Sequence, residues 1–75
     1  MERYADVDGA SGVAAFEIGG SYILVEFKDG SVYEYTTLSA GRVNIDYMAR
    51  LAREGNGLNS FINTNVKKRY SRKAR

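Results

Sequence analysis

The stretch YILVEFKDGSVYEY, residues 22–35, decides the fold, because one turn in its middle sets which side chains share a face. On either side of Lys28-Asp29-Gly30 lie two runs rich in β-branched and aromatic residues, which predicts a pair of strands. A two-residue turn at Asp29-Gly30 would set Val25 opposite Glu34 and Ile23 opposite Thr36. A three-residue turn, Lys28-Asp29-Gly30 with Gly30 left-handed, sets Val25 opposite Tyr33 and Ile23 opposite Tyr35. Slipping a strand by one residue moves every side chain to the other face. Only the second choice gathers Ile23, Val25, Phe27, Tyr33 and Tyr35 on one face, and a turn closed by a Gly bulge suits these residues. The second choice is adopted, leaving Leu24, Glu26, Val32 and Glu34 on the other face.

Upstream, VAAFEI (13–18) alternates, with Ala14, Phe16 and Ile18 on one side. Gly19-Gly20 is expected to supply the positive φ of a two-residue hairpin turn, facing Phe16 to Ile23 and Ala14 to Val25. Downstream, TTLSAGRV is a connection or a first helical turn. From Asn44, taken as the N-cap, NIDYMARLAREG carries Ile45, Met48, Leu51 and Ala52 at helical spacing, with Gly55 as the stop. After the turn GNG, Leu58, Phe61 and Ile62 have the spacing of a second short helix. Val66 and Tyr70 either prolong that stripe or sit on a terminal extended segment. The expected fold is α+β: a three-stranded antiparallel β-meander with two short helices packed on one face, since so small a sheet buries too little alone. Residues 1–10 are expected to be loosely held, residues 11–70 to form a single domain, and residues 71–75 to be a basic tail.

The hydrophobic fraction of 44% argues against disorder throughout the 75 residues. There is no Cys and no His. That removes disulfides, thiolate nucleophiles, the commonest general base and the usual zinc ligands. The acids are scattered, with no Asp-x-Asp cluster and no Gly-rich strand-to-helix loop for a nucleotide. Catalysis is therefore not expected, and neither is a cofactor or metal. The opening MERYADVDGASG lacks the apolar core of a signal peptide, and the longest apolar stretches, VAAF and YILV, fall far short of the roughly 20 residues that cross a bilayer. The expectation is a cytoplasmic protein without a membrane partner.

The formal charge of +2 hides a division. Residues 1–66 hold all nine acids and five basic residues, whereas KKRYSRKAR, residues 67–75, holds six basic residues and no acid. Such asymmetry hints at nucleic acid or another anionic surface.

FKDGSVYEY followed by FINTNVKKRY resembles the KTSC domain, the short module named after the C-terminus of some lysyl-tRNA synthetases and also found as small bacterial and phage proteins. The matching features are a strand ending in a Gly turn (Phe27, Gly30), a Tyr-x-Tyr pair (Tyr33, Tyr35) and a late run comprising Phe61, Asn63, Val66 and Tyr70. Together they span roughly residues 11–70. The resemblance implies a small α+β module, with RNA binding suggested by the attachment to a synthetase.

Two functional readings follow. In the first, a non-catalytic module binds RNA, with Lys67, Lys68, Arg69, Arg72, Lys73 and Arg75 on phosphates and Tyr70 stacking on a base. Four to six such contacts on a single strand give a salt slope of about −3 to −4. Tyr33 and Tyr35 are then either a stacking platform or part of the core, and Asn59, Asn63 and Asn65 either read base edges or cap the backbone. In the second, the chain is a protein-binding module, for example a phage or bacterial inhibitor, using a free sheet edge or the face with Leu24 and Val32, with the tail solvated. Either way it is expected to be a monomer or a small homo-oligomer.

Overall fold

The hairpin between Tyr22–Phe27 (β3) and Val32–Thr36 (β4) sets Ile23 opposite Tyr35 and Val25 opposite Tyr33. This is the register of a three-residue turn in the computed structural model, which describes residues 1–7 and 9–75; Asp8, inside the N-terminal segment, lies outside the described residues. Gly30 at φ 91° closes the turn, its N–H donating to the Phe27 carbonyl at 2.9 Å. The Asp29 carboxylate accepts from the Ser31 N–H and hydroxyl.

The preceding hairpin departs from expectation. Val13–Ile18 (β2) pairs with β3 so that Phe16 faces Val25 and Ile18 faces Ile23, two residues from the expected pairing. A shift of two keeps every side chain on its face, so the apolar side survives the change. The tight turn is Gly20-Ser21, closed by the Gly19 N–H donating to the Tyr22 carbonyl. Gly19 has no positive φ, and what favours glycine there is space, since a Cβ would run into the Tyr22 ring. A bulge between Val13 and Ala15 turns Val13 inward, so that Val13 is buried where Ala14 was expected.

Thr36 ends the meander and starts the helices. Its hydroxyl accepts from the Ser39 N–H while the Ser39 hydroxyl accepts from the Thr36 N–H, a reciprocal cap on Thr37–Ala40 (α1). After Gly41 comes Arg42–Glu54 (α2), which begins two residues before Asn44. Asn44 is therefore not the cap. Its side-chain amide donates to the Ala40 carbonyl at 2.7 Å and ties α2 to α1. Ile45, Met48, Leu51 and Ala52 are buried as the spacing predicts, and Gly55 stops the helix at φ 73°. Leu58–Phe61 (α3) continues into a wider π-helical turn, Ile62–Val66, and Leu58, Ile62 and Val66 line the core at intervals of four.

The sheet has five strands rather than three, in the order β1-β2-β3-β4-β5. Glu2–Arg3 (β1) pairs with β2, and Arg72–Lys73 (β5) pairs with β4. The residue after β1, Tyr4, is buried in the core, where its hydroxyl accepts the Leu58 N–H at 3.2 Å. That contact joins one edge of the sheet to the start of α3, which has no side-chain cap of its own. The class remains α+β. The helices cover one face, with α2 over β3 and β4, and Ile23, Val25 and Tyr35 meet Ile45, Met48, Leu58 and Val66 there. No helix among the described residues is long and apolar enough to cross a membrane.

Candidate nucleic-acid interface

Tyr33 and Tyr35, two apart on β4, point to the helix-covered face. Beyond the π-helical turn the chain passes Lys67 and Lys68 and bends, with the Arg69 N–H on the Val66 carbonyl, before returning to the sheet as β5. On the way it lays Tyr70 across the two tyrosines of β4. The rings meet edge to face, Tyr70 at 4.8 Å from Tyr33 and 6.5 Å from Tyr35, with Tyr33 in turn 5.9 Å from Phe27. Such contacts are favoured by the ring quadrupoles. These four rings wall a cleft of about 300 Å³ whose rim carries Asn63, Lys67 and Lys68.

The tyrosines divide between the two roles open to them. Tyr35 is 2% exposed and belongs to the core, and burial, followed by the neighbouring Tyr33 and Tyr70, pushes its hydroxyl up to about 12. It stays a neutral hydroxyl at physiological pH. Tyr33 is half-buried between Phe27 and Tyr70. Tyr70 anchors the last segment and still exposes 41% of its surface.

The basic segment divides as well. In β5 successive side chains take opposite faces. Arg72, paired with Glu34, points to the outer face, where its Nε lies 3.2 Å from Glu34 Oε1. Just past β5 the Ala74 and Arg75 N–H groups both donate to the Val32 carbonyl, a bulge that breaks the alternation and returns Arg75 to the face of Arg72, where its Nη2 lies 2.7 Å from Glu26 Oε2. Ser71 donates to Glu34 Oε1 at 2.6 Å, and that bond, aided by Arg72, holds the Glu34 carboxyl below its ordinary value against a smaller cost of burial. Lys73, paired with Tyr33, points inward, with Nζ 5.9 Å from the Tyr33 ring centre. Lys67, Lys68 and Arg69 are exposed, and among the described residues no ion pair involves them or Lys73. Of the six basic residues, Lys67 and Lys68 stand at the cleft rim, Lys73 lies beside Tyr33 and Arg69 is exposed next to Tyr70 in the chain, whereas Arg72 pairs with Glu34 and Arg75 with Glu26.

Among the three asparagines only Asn63 borders the cleft. Asn65 donates to the Phe61 carbonyl one helical turn back, and Asn59 lines a separate hollow near Tyr4 and Ser11. Phe27 and Ile62 complete the cleft without having been singled out as site residues. Their signal was present in the sequence, as same-face and same-stripe apolar positions, but that signal is identical for pure core. Among the described residues no group of three or more acids gathers as a metal site. No family model, no curated protein and no solved structure matches the chain.

Proposed function

We propose that the protein is a small non-catalytic module that binds single-stranded RNA in the cytoplasm. A base stacks on the exposed ring of Tyr70 at the mouth of the cleft, and Lys67, Lys68, Arg69 and Lys73 contact the flanking phosphates. The observation that carries this reading is the meeting of an aromatic cleft with unpaired cations from the same short segment, the combination that single-strand binding uses. Stacking tolerates every base, and Asn63 alone offers an amide to a base edge, so the expected recognition is weakly sequence-dependent. RNA is also what the resemblance to the KTSC domain implies, although the reading rests on the cleft.

The test is binding of labelled single-stranded RNA, double-stranded RNA and single-stranded DNA at low and moderate salt. With no Trp in the chain, emission comes from its six tyrosines, so quenching by RNA that is lost in Tyr70→Ala assigns the stacking to that ring. Tyr70→Ala is expected to weaken binding about 5- to 150-fold, the equivalent of about 1–3 kcal/mol for one stacked base. Absence of binding at low salt would overturn the reading in favour of a protein partner.

A further inference from the structure

The outer side of α2 carries a feature that RNA binding does not use. Val43 is 81% exposed and Tyr47 42% exposed, in the middle of an otherwise charged helix face. Phe61 packs against Tyr47 at 4.9 Å, the Arg50 guanidinium lies 5.6 Å from the Tyr47 ring centre, and these groups border a shallow hollow of about 460 Å³. Along the same face run Arg42, Asp46, Arg50 and Glu54, one every four residues and alternating in sign. They pair within the helix, Arg42 with Asp46 at 3.7 Å and Arg50 with Glu54 at 3.2 Å.

We propose that this face docks a second copy of the chain, with the two α2 helices antiparallel. A stripe reading plus, minus, plus, minus becomes its own complement when reversed. With the two-fold axis level with Met48, Arg42 faces Glu54 of the second copy, and Asp46 faces its Arg50. A parallel pair in register would set like charges level and align the helix dipoles unfavourably. The antiparallel arrangement also brings the two Tyr47 rings together at the centre and covers Val43 with the aliphatic stems of Arg50 and Arg53 from the other copy. An isologous contact of this kind closes on itself. RNA is a poor occupant, because the stripe sets two carboxylates, Asp46 and Glu54, beside its two arginines and so offers phosphate no net positive charge. A foreign protein would need to reproduce the reversed stripe that a second copy already has.

One helix face lies at the small end of specific interfaces, below about 1,200 Å² in total, so the expected dimer is weak. Sedimentation equilibrium of the native protein without nucleic acid, from about 10 µM to about 1 mM, is expected to show the mass rising from that of the 8.3 kDa chain toward twice that value. Arg50→Asp places like charges opposite each other twice in the dimer and is expected to raise the dissociation constant at least about tenfold. The exchange Asp46→Arg with Arg50→Asp keeps the reversed stripe complementary and should restore association to within about threefold of native. Tyr47→Ser, which leaves the charges alone, should also weaken the dimer. Circular dichroism confirms that each variant is folded. A native protein that stays monomeric at the highest concentration overturns the proposal. So does a dimer indifferent to Arg50→Asp and Tyr47→Ser, or a double exchange that fails to restore it. None of these outcomes depends on whether the cleft binds RNA.

Discussion

Replacing Arg72 and Arg75 together by Gln separates a basic segment that grips phosphate from one that is partly structural. Each phosphate neutralised on a single strand contributes about −0.7 to the slope of log K against log salt. Four free cations, Lys67, Lys68, Arg69 and Lys73, give about −2.8, so affinity should fall about 50-fold between about 50 and 200 mM salt. Six cations would give about −4.2 and a fall of about 300-fold over the same interval. Because Arg72 lies on Glu34 and Arg75 on Glu26, the double replacement is expected to leave the slope at its native value. Its cost appears elsewhere, as stability. Two half-exposed ion pairs are worth about 1 kcal/mol together, a fall in Tm of roughly 4–8 °C in a domain this small. Changing Lys67, Lys68, Arg69 and Lys73 to Gln should do the reverse, flattening the slope toward zero while leaving Tm nearly unchanged. Fluorescence anisotropy across a salt series, with thermal denaturation of each variant, reads both quantities. A loss of slope of about 1.4 in the Arg72→Gln, Arg75→Gln protein would mean that both arginines leave their carboxylates for phosphate, and the partition of the segment would be refuted.

Other expectations concern the same elements. Glu34 has a depressed carboxyl, so its contribution to stability is present above the ordinary value of 4.5 and is lost as pH falls through the lowered one. Protection of the Ser71 and Ala74 amides, which hold β5 to β4, should fall over that acid range when each exchange rate is divided by the intrinsic rate at the same pH, and Glu34→Gln should remove most of that pH dependence. Tyr35 behaves oppositely: its raised hydroxyl contributes stability that is complete below pH 10 and disappears as pH climbs toward about 12. Absorbance of tyrosinate should show one group ionising last, and Tyr35→Phe should abolish that step. Tyr4→Phe removes the acceptor for the Leu58 N–H and is expected to cost about 1–2 kcal/mol in urea unfolding, a loss a loosely held N-terminal segment would not register.

How far the sequence discloses this molecule depends on whether a feature is set by neighbours along the chain or by partners far away. The β3–β4 register was legible because a single turn had to reconcile two alternating runs, and only a three-residue turn did so. The core was legible even where pairing was misplaced. Phe16 and Ile18 sit two residues from their expected partners, yet a period of two returns them to the same face. Gly19 shows the limit: two adjacent glycines suggest a backbone need, and nothing local says that the need is room for the Tyr22 ring. The two terminal strands were hidden for a related reason. A two-residue strand is too short to display alternation, and what holds it is backbone pairing to a distant strand.

The site was half legible for the same physical cause. Six basic residues in nine announce a positive segment, but composition cannot separate Arg72 from Lys73, which are chemically alike and adjacent. Pairing with β4 separates them, sending one onto Glu34 and the other toward Tyr33. Nor could Tyr33 be assigned to core or to platform from β4 alone, because its environment is completed by Tyr70, 37 positions later, across the turn that carries Lys67 and Lys68. The cleft and its cations are thus products of one event, the return of the C-terminal segment to the sheet edge. If that return is what builds the site, weakening β5 at a distance from the cleft must weaken RNA binding without changing its salt slope. Arg72→Gln with Arg75→Gln should accordingly lower affinity by whatever fraction of the population has β5 detached, and no more.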